Sequence, residues 1–168
     1  MSDQRDKQSL SVLVGDLSSE DGMTREHARE RLVGMGPQAT ASLVPLLTDE
    51  RTQVRWEAAK ALSEIADPAS VPALVETLED EEDDVSWLAA EGLAAIGKPS
   101  IVPLLRALVD GEATFLLRRG AHHVFSKLPD AESRDLVAPV HELLEGPYED
   151  ISVVMAAERL LEQLEENG

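Results

Sequence analysis

The chain has 168 residues, 43% hydrophobic but only 3% aromatic, so its core must be aliphatic and alanine-rich, which suits close-packed helices better than packed sheets. It contains no cysteine, which excludes a disulfide framework, a thiolate metal site and a cysteine nucleophile. A formal charge of −18 opposes long-range attraction to nucleic acid or to an anionic membrane surface.

Met1 to Lys7 read as a loose polar start without the apolar stretch of a signal peptide, and no apolar run approaches the ~18 residues of a membrane span. A soluble, cytoplasmic protein is expected. Leu10, Leu13, Val14 and Leu17 recur at helical spacing and predict a first short helix. Ser18 to Gly22 is turn chemistry, Thr24 is placed to cap, and a second helix carries Ala28, Leu32 and Met35 up to Gly36-Pro37. Leu43, Val44, Leu46 and Leu47 predict one helix ending at Asp49, and Val54 to Ile65 another, from about Gln53 to Ala66. Asp67-Pro68 breaks the chain; Val71, Leu74, Val75 and Leu78 follow, with Pro72 tolerated in the first turn. Six acids, Glu79 to Asp84, lead into the Val85 helix. They lack the alternating ligands and central glycine of a calcium loop and read as a solvated turn favouring a helix N-terminus. After Gly97-Lys98-Pro99 come Ile101 to Leu108, the Asp110-Gly111 turn, and a helix with Leu117, Ala121, Val124 and Phe125. Pro129-Asp130 ends it. A longer connection is expected before Val137, Val140, Leu143 and Leu144, and Val153 to Leu164 make the last helix.

Val54-Arg55-Trp56-Glu57-Ala58-Ala59-Lys60-Ala61-Leu62-Ser63-Glu64-Ile65 returns 31 positions later as Val85-Ser86-Trp87-Leu88-Ala89-Ala90-Glu91-Gly92-Leu93-Ala94-Ala95-Ile96. Self-similarity at such a period marks a solenoid of helical hairpins. Ala28, Ala58, Ala89, Ala121 and Ala157 fall in one column, where a methyl lets neighbouring helices approach closely. The expected fold is all-α, a single solenoid domain over 1–168 with hairpins at about 8–36, 37–66, 67–97, 98–129 and 130–166.

These hairpins, with a proline in the first helix, an Asp turn and then Val-Arg-x-x-Ala-x-x-Ala-Leu-x-x-Ile, resemble HEAT repeats, particularly the short class of the phycobilisome lyases. The resemblance spans nearly the whole chain, is best over 43–109, and implies a right-handed superhelix. It also implies a ladder between repeats from a turn Asp and the Arg after Val. Asp49 with Arg55 fits, Asp80 and Asp110 keep the acid, Arg25 and Arg118 keep the base, and Ser86 breaks the column. It further implies that the Val-Arg helices line the concave surface. The positions opposite their core are Glu26, Trp56, Trp87, Arg119 and Met155, with Glu30, Lys60, Glu91, His123 and Arg159 alongside.

Two tryptophans in consecutive repeats, facing away from the core, are placed either to be covered by a partner or to lie flat along the groove over Ala59 and Ser63 and over Ala90 and Ala94. Arg118, Arg119, His122 and His123 form a basic spot beside them. The expected function is a protein-interaction scaffold holding another protein or peptide on that surface, through an apolar anchor with an acid nearby. The net charge itself has three readings: a salty host, solubility, or a cationic partner.

Some proteins of this repeat type are enzymes. A bilin lyase or its subunit is the alternative that the repeat class implies, and a HEAT-like DNA glycosylase is a second. The glycosylase needs a basic groove with an aspartate, and no Asp stands in the stripe. The His-Glu pairs of deoxyhypusine hydroxylase are replaced by Trp56-Glu57 and Trp87-Leu88. His122 and His123 point about 100° apart on a helix and cannot chelate as an i,i+4 pair does. No phosphate loop, nucleophile elbow or paired carboxylate site stands out, so no catalytic residue, metal or cofactor is assigned, and duplex nucleic acid and membrane are not expected as partners.

Overall fold

A computed structural model describes residues 2–111, 113–147 and 151–166; Tyr148, one of the few aromatics, lies outside them. Their regular structure is ten α-helices and three 3-10 turns, with no β-strand among the described residues. The helices are α1 (Ser2–Asp16), α2 (Gly22–Met35), α3 (Pro37–Leu43), α4 (Thr52–Ile65), α5 (Val71–Thr77), α6 (Asp83–Ile96), α7 (Ile101–Asp110), α8 (Phe115–Lys127), α9 (Ala131–Leu144) and α10 (Ser152–Glu166). The backbone is thus helical from Ser2, where a loose start was expected.

Helix boundaries follow local chemistry. Asp21, not Thr24, caps α2: its carboxylate accepts from the Thr24 N–H at 2.9 Å and from the Thr24 hydroxyl at 2.6 Å, which holds it below the usual carboxylate range. Pro37 opens α3, and the helix expected to run to Asp49 gives way to a 3-10 turn, Val44–Thr48, where Pro45 supplies no N–H to an α-helical ladder. Thr114 caps α8, its hydroxyl accepting from the Leu117 N–H at 3.1 Å.

Helices α2, α4, α6 and α8 lie side by side in one layer; α1, α3, α5 and α7 make the other, with the Val44–Thr48 turn bridging α3 to α5. The core lies between them, with Leu17, Leu32, Leu43, Leu62, Leu74, Leu93 and Leu104 all fully buried. Each buried leucine contributes about 1.5–3 kcal/mol relative to leaving it in water. Ala28, Ala58, Ala89 and Ala121 are buried in the seams of the first layer. The α4–α6 seam is tight enough that a Cβ on Gly92 would stand 3.2 Å from the Ser63 Cα and 3.1 Å from the Leu74 Cδ1. This stacking makes the protein an all-α solenoid.

Three crossings, from α2, α4 and α6 into the opposite layer, each begin with a left-handed residue: Gly36 at φ 62°, Ala66 at φ 51° and Gly97 at φ 77°. In the later two, a 3-10 turn follows that ends in a fully buried serine, Ser70 or Ser100. Their hydroxyls donate to the carbonyls of Asp67 and Leu93 at 2.7 and 2.8 Å, so the step itself is hydrogen-bonded.

The fourth crossing lacks all of this, and the layers exchange. Leu128 is extended (φ −52°, ψ 133°), and the expected longer connection is absent. Asp130 caps α9 at once, its carboxylate accepting from the Ser133 N–H at 2.7 Å. Helix α9 therefore folds back along α8, and α10 packs along α7 rather than α8. An Arg106–Glu165 contact at 3.4 Å ties α7 to α10.

Candidate functional site

The face of α2, α4, α6 and α8 turned away from the second layer carries the residues expected to form the contact stripe. Trp87 projects from α6 with 55% of its surface exposed. The His123 ring, from the same place on α8, lies 4.2 Å from it centre to centre, and its Nε2 reaches the Glu91 carboxylate. Glu91 on α6 and His123 on α8 thus brace the indole from the side. A cleft of about 410 Å³ opens here, floored by Ala94 and Ala95 and rimmed by Lys127 and Pro129.

Trp56 differs from its expected placement. It is half-buried against the core, and the Arg29 guanidinium stands 5.5 Å over its ring. It lines a second cleft, of about 650 Å³, whose walls include Arg25, Arg29, Glu26, Glu82 and Asp84. Lys60 is engaged with Glu64 one turn on, at 3.0 Å. Glu30 is exposed beside Glu26.

Met155 and Arg159 leave the stripe altogether. Both are exposed, but they belong to α10, which lies in the layer of α7 because the α8–α9 turn is extended at Leu128 and lacks the positive-φ residue of the other crossings. Ala157 is buried on the same helix, so the alanine column of the first layer ends at Ala121.

The basic spot is also corrected. Arg119 donates to the Asp83 carboxylate at 2.8 Å and lies 5.9 Å over the Phe115 ring. His122 is 3.6 Å from Glu145, and its ring is 4.6 Å from that of His141 on α9. Arg118 is buried, donating to the Pro147 carbonyl at 3.2 Å. These groups hold neighbouring elements together rather than forming a cationic surface. His123, expected at the surface, has only 13% of its side chain exposed.

The ladder exists with other partners. Arg55 grips both oxygens of Asp80, at 2.7 and 3.1 Å, and donates to the Asp49 carbonyl at 3.0 Å. The Asp49 carboxylate instead takes Arg51, twice through its guanidinium and once through its N–H, all at 2.9 Å; these bonds lower its pKa to about 2. Arg25 binds Glu57 at 3.2 Å and the Ser19 carbonyl at 2.8 Å, while Arg29 holds the other Glu57 oxygen. Where Ser86 replaces the arginine, its hydroxyl donates to the Leu78 carbonyl at 2.8 Å, doing with a short side chain what Arg55 does to Asp49. Asp110 is exposed at the end of α7.

Glu57 was not singled out in the sequence. An acid inside a buried helix face, one turn past Gln53 and one repeat past two arginines, was the available signal. A third cleft, of about 690 Å³, lies at the turns beside this ladder, with Asp49, Glu50, Glu76, Asp80 and Glu81 among its walls and Arg55 already committed to Asp80. Among the described residues no three of His, Cys, Asp or Glu converge as a metal site, and no helix is long and apolar enough to cross a membrane.

The family described as HEAT repeats matches residues 40–126, just over half of the chain. The chain belongs to the HEAT repeat family. HEAT repeats generally act as protein-interaction scaffolds. Among solved structures, two engineered proteins are similar, each at 24% identity: one covers 97% of this HEAT repeat chain and 82% of its own length at a TM-score of 0.44, the other 92% and 80% at 0.49. No curated protein matches the chain significantly.

Proposed function

We propose that this HEAT repeat protein is a non-catalytic scaffold that holds a segment of another protein across the free face of α4, α6 and α8. The observation that carries the reading is Trp87. A large indole facing solvent is unfavourable unless something covers it, and tryptophan is enriched among residues that dominate binding energy. Its orientation is fixed in advance by His123, itself held by Glu91, so a ligand would not bear the cost of ordering the ring. The adjoining cleft is lined by Ala94 and Ala95, whose short side chains leave room for an apolar group beside the indole.

The partner sought is a protein segment, and the test is a peptide-display selection against the intact chain with Trp87→Ala as the counter-target. Recovered peptides should bind the natural protein, shift its tryptophan emission, and lose about tenfold or more in affinity on Trp87→Ala. Binders indifferent to that substitution would place recognition elsewhere and end this reading.

A further inference from the structure

We infer that the segment held on this face is basic, with lysine or arginine at least about five residues to one side of an apolar anchor. The inference rests on the proposed scaffold function and adds the partner's chemistry to it.

The argument is charge complementarity, counted residue by residue. The cations on or under the face are engaged: Arg25 and Arg29 share Glu57, which leaves one positive charge over, while Lys60 pairs with Glu64, Arg119 with Asp83 and His123 with Glu91. Lys127, at the far rim, is the exception. The acids are not matched in return. Glu26, Glu30, Glu82 and Asp84 are exposed and have no cation at ion-pair distance among the described residues. Three of them, Glu26 from α2 with Glu82 and Asp84 from the start of α6, line the cleft beside Trp56, where with Glu57 they set four acids against Arg25 and Arg29. A partner carrying acids there would meet uncompensated like charge, so the acid expected beside the apolar anchor is replaced by a base.

Spacing follows from the helices. Trp56 and Trp87 stand at equivalent places on neighbouring helices, whose axes lie roughly 8–10 Å apart when packed. An extended chain rises about 3.3 Å per residue. Ala94 lies ten residues from Asp84 along α6, about 15 Å at 1.5 Å per residue, so an apolar side chain in the cleft at Trp87 and a base over Glu26, Glu82 and Asp84 are at least about five residues of extended ligand apart. The cation of a lysine or arginine at that point meets the carboxylates, and its aliphatic stem lies against Trp56, which lines the same cleft.

The test uses three synthetic twelve-residue peptides with the same central leucine, flanked by four lysines and arginines, four glutamines or four glutamates. Binding is read by fluorescence anisotropy on the intact protein. The basic peptide should bind about tenfold or more tightly than the glutamine peptide at low salt, and the gap should shrink toward 0.5 M salt as screening shortens. Because any cation is drawn to a molecule this acidic, position must be separated from bulk charge. Glu26→Gln, Glu82→Gln and Asp84→Asn together should weaken the basic peptide about tenfold and leave the glutamine peptide unchanged. Glu158→Gln, Glu162→Gln and Glu166→Gln on α10 remove the same charge and should change little.

Equal loss from both triple variants, or equal binding of basic and neutral peptides, overturns the basic partner, while loss on Trp87→Ala would still uphold the scaffold reading. Basic-peptide binding that survives Trp87→Ala but not the first triple variant overturns the scaffold reading, leaving charge alone. Binding of the glutamate peptide in preference overturns the charge assignment outright.

Discussion

The stack from α2 to α8 and the closing pair α9–α10 use the same kind of apolar helix, yet only the first keeps the repeat geometry. The difference lies in the crossings. Gly36, Ala66 and Gly97 turn the chain with positive φ and send it into the other layer, whereas Leu128 is extended and Asp130 starts α9 immediately. Burial patterns dictate that a helix packs; the few residues between helices dictate which neighbour it packs against. The consequence reaches function, because it removes Met155 from the binding face and makes α8 and α9 neighbours.

The regular stack is held by the buried ion pairs of Glu57 and Asp80, and removing one is the strongest way to break the comparison. Glu57 has 4% of its side chain exposed and serves both Arg25 and Arg29. Glu57→Ala leaves two guanidinium groups without their acid and should cost about 3 kcal/mol or more in chemical denaturation. A loss near zero would mean that water satisfies both arginines and that the α2–α4 link is a surface pair.

Next in size is the seam. Ala89→Leu forces extra methylenes between α4, α6 and α8 and should cost about 1–3 kcal/mol, read as a lower unfolding midpoint. An unchanged midpoint would show that the helices can separate without penalty. Close behind comes the crossing itself. A Cβ at Gly97 would stand 3.2 Å from the Pro129 Cγ at φ 77°, whereas at Gly36, φ 62°, it meets open space. Gly97→Ala should therefore cost about 1–3 kcal/mol and Gly36→Ala somewhat less, the shared part being backbone strain. Equal costs would assign the whole effect to φ and none to the contact with Pro129.

Most of this architecture was legible because periodicity and small-residue columns report burial directly: the repeat from Val54 to Ile96, and the alanines up to Ala121, read correctly. The order of the last pair was readable in principle. Leu128-Pro129-Asp130-Ala131-Glu132-Ser133 has no glycine and no counterpart of Ser70 or Ser100, and an aspartate three residues before a serine is a helix start. The alanine register at Ala157 concealed it, since an alanine suits either layer. The partners of charged residues were the least legible. Periodicity puts Arg55 near a turn acid, but whether Asp49 or Asp80 takes it depends on a neighbouring repeat and on the competing claim of Arg51. The same applies to Arg119 and His123, whose apparent availability disappears once Asp83 and Glu91 are placed beside them.

The smallest effect expected separates the two regions by pH. In the regular stack Asp49 titrates near pH 2, so the stability it contributes is present above the usual carboxylate value of 3.8 and is lost only as the pH falls through 2. In the closing pair, burial lowers the His141 pKa below 6.5; His122 on α8 adds to this, and Glu145 and Glu142 oppose it. The unfolded imidazole then takes a proton before the folded one does. Stability is therefore full above pH 6.5 and falls as acid protonates the unfolded chain in preference. Amide exchange, corrected for its intrinsic pH dependence, should show α9 losing protection between pH 7 and pH 5 while α4 holds. His141→Gln should flatten that slope without touching α4. Parallel loss in both helices, or an unaltered slope in the variant, would assign the acid sensitivity to the general charge of the molecule instead of to the two imidazoles that meet where the repeat order reverses.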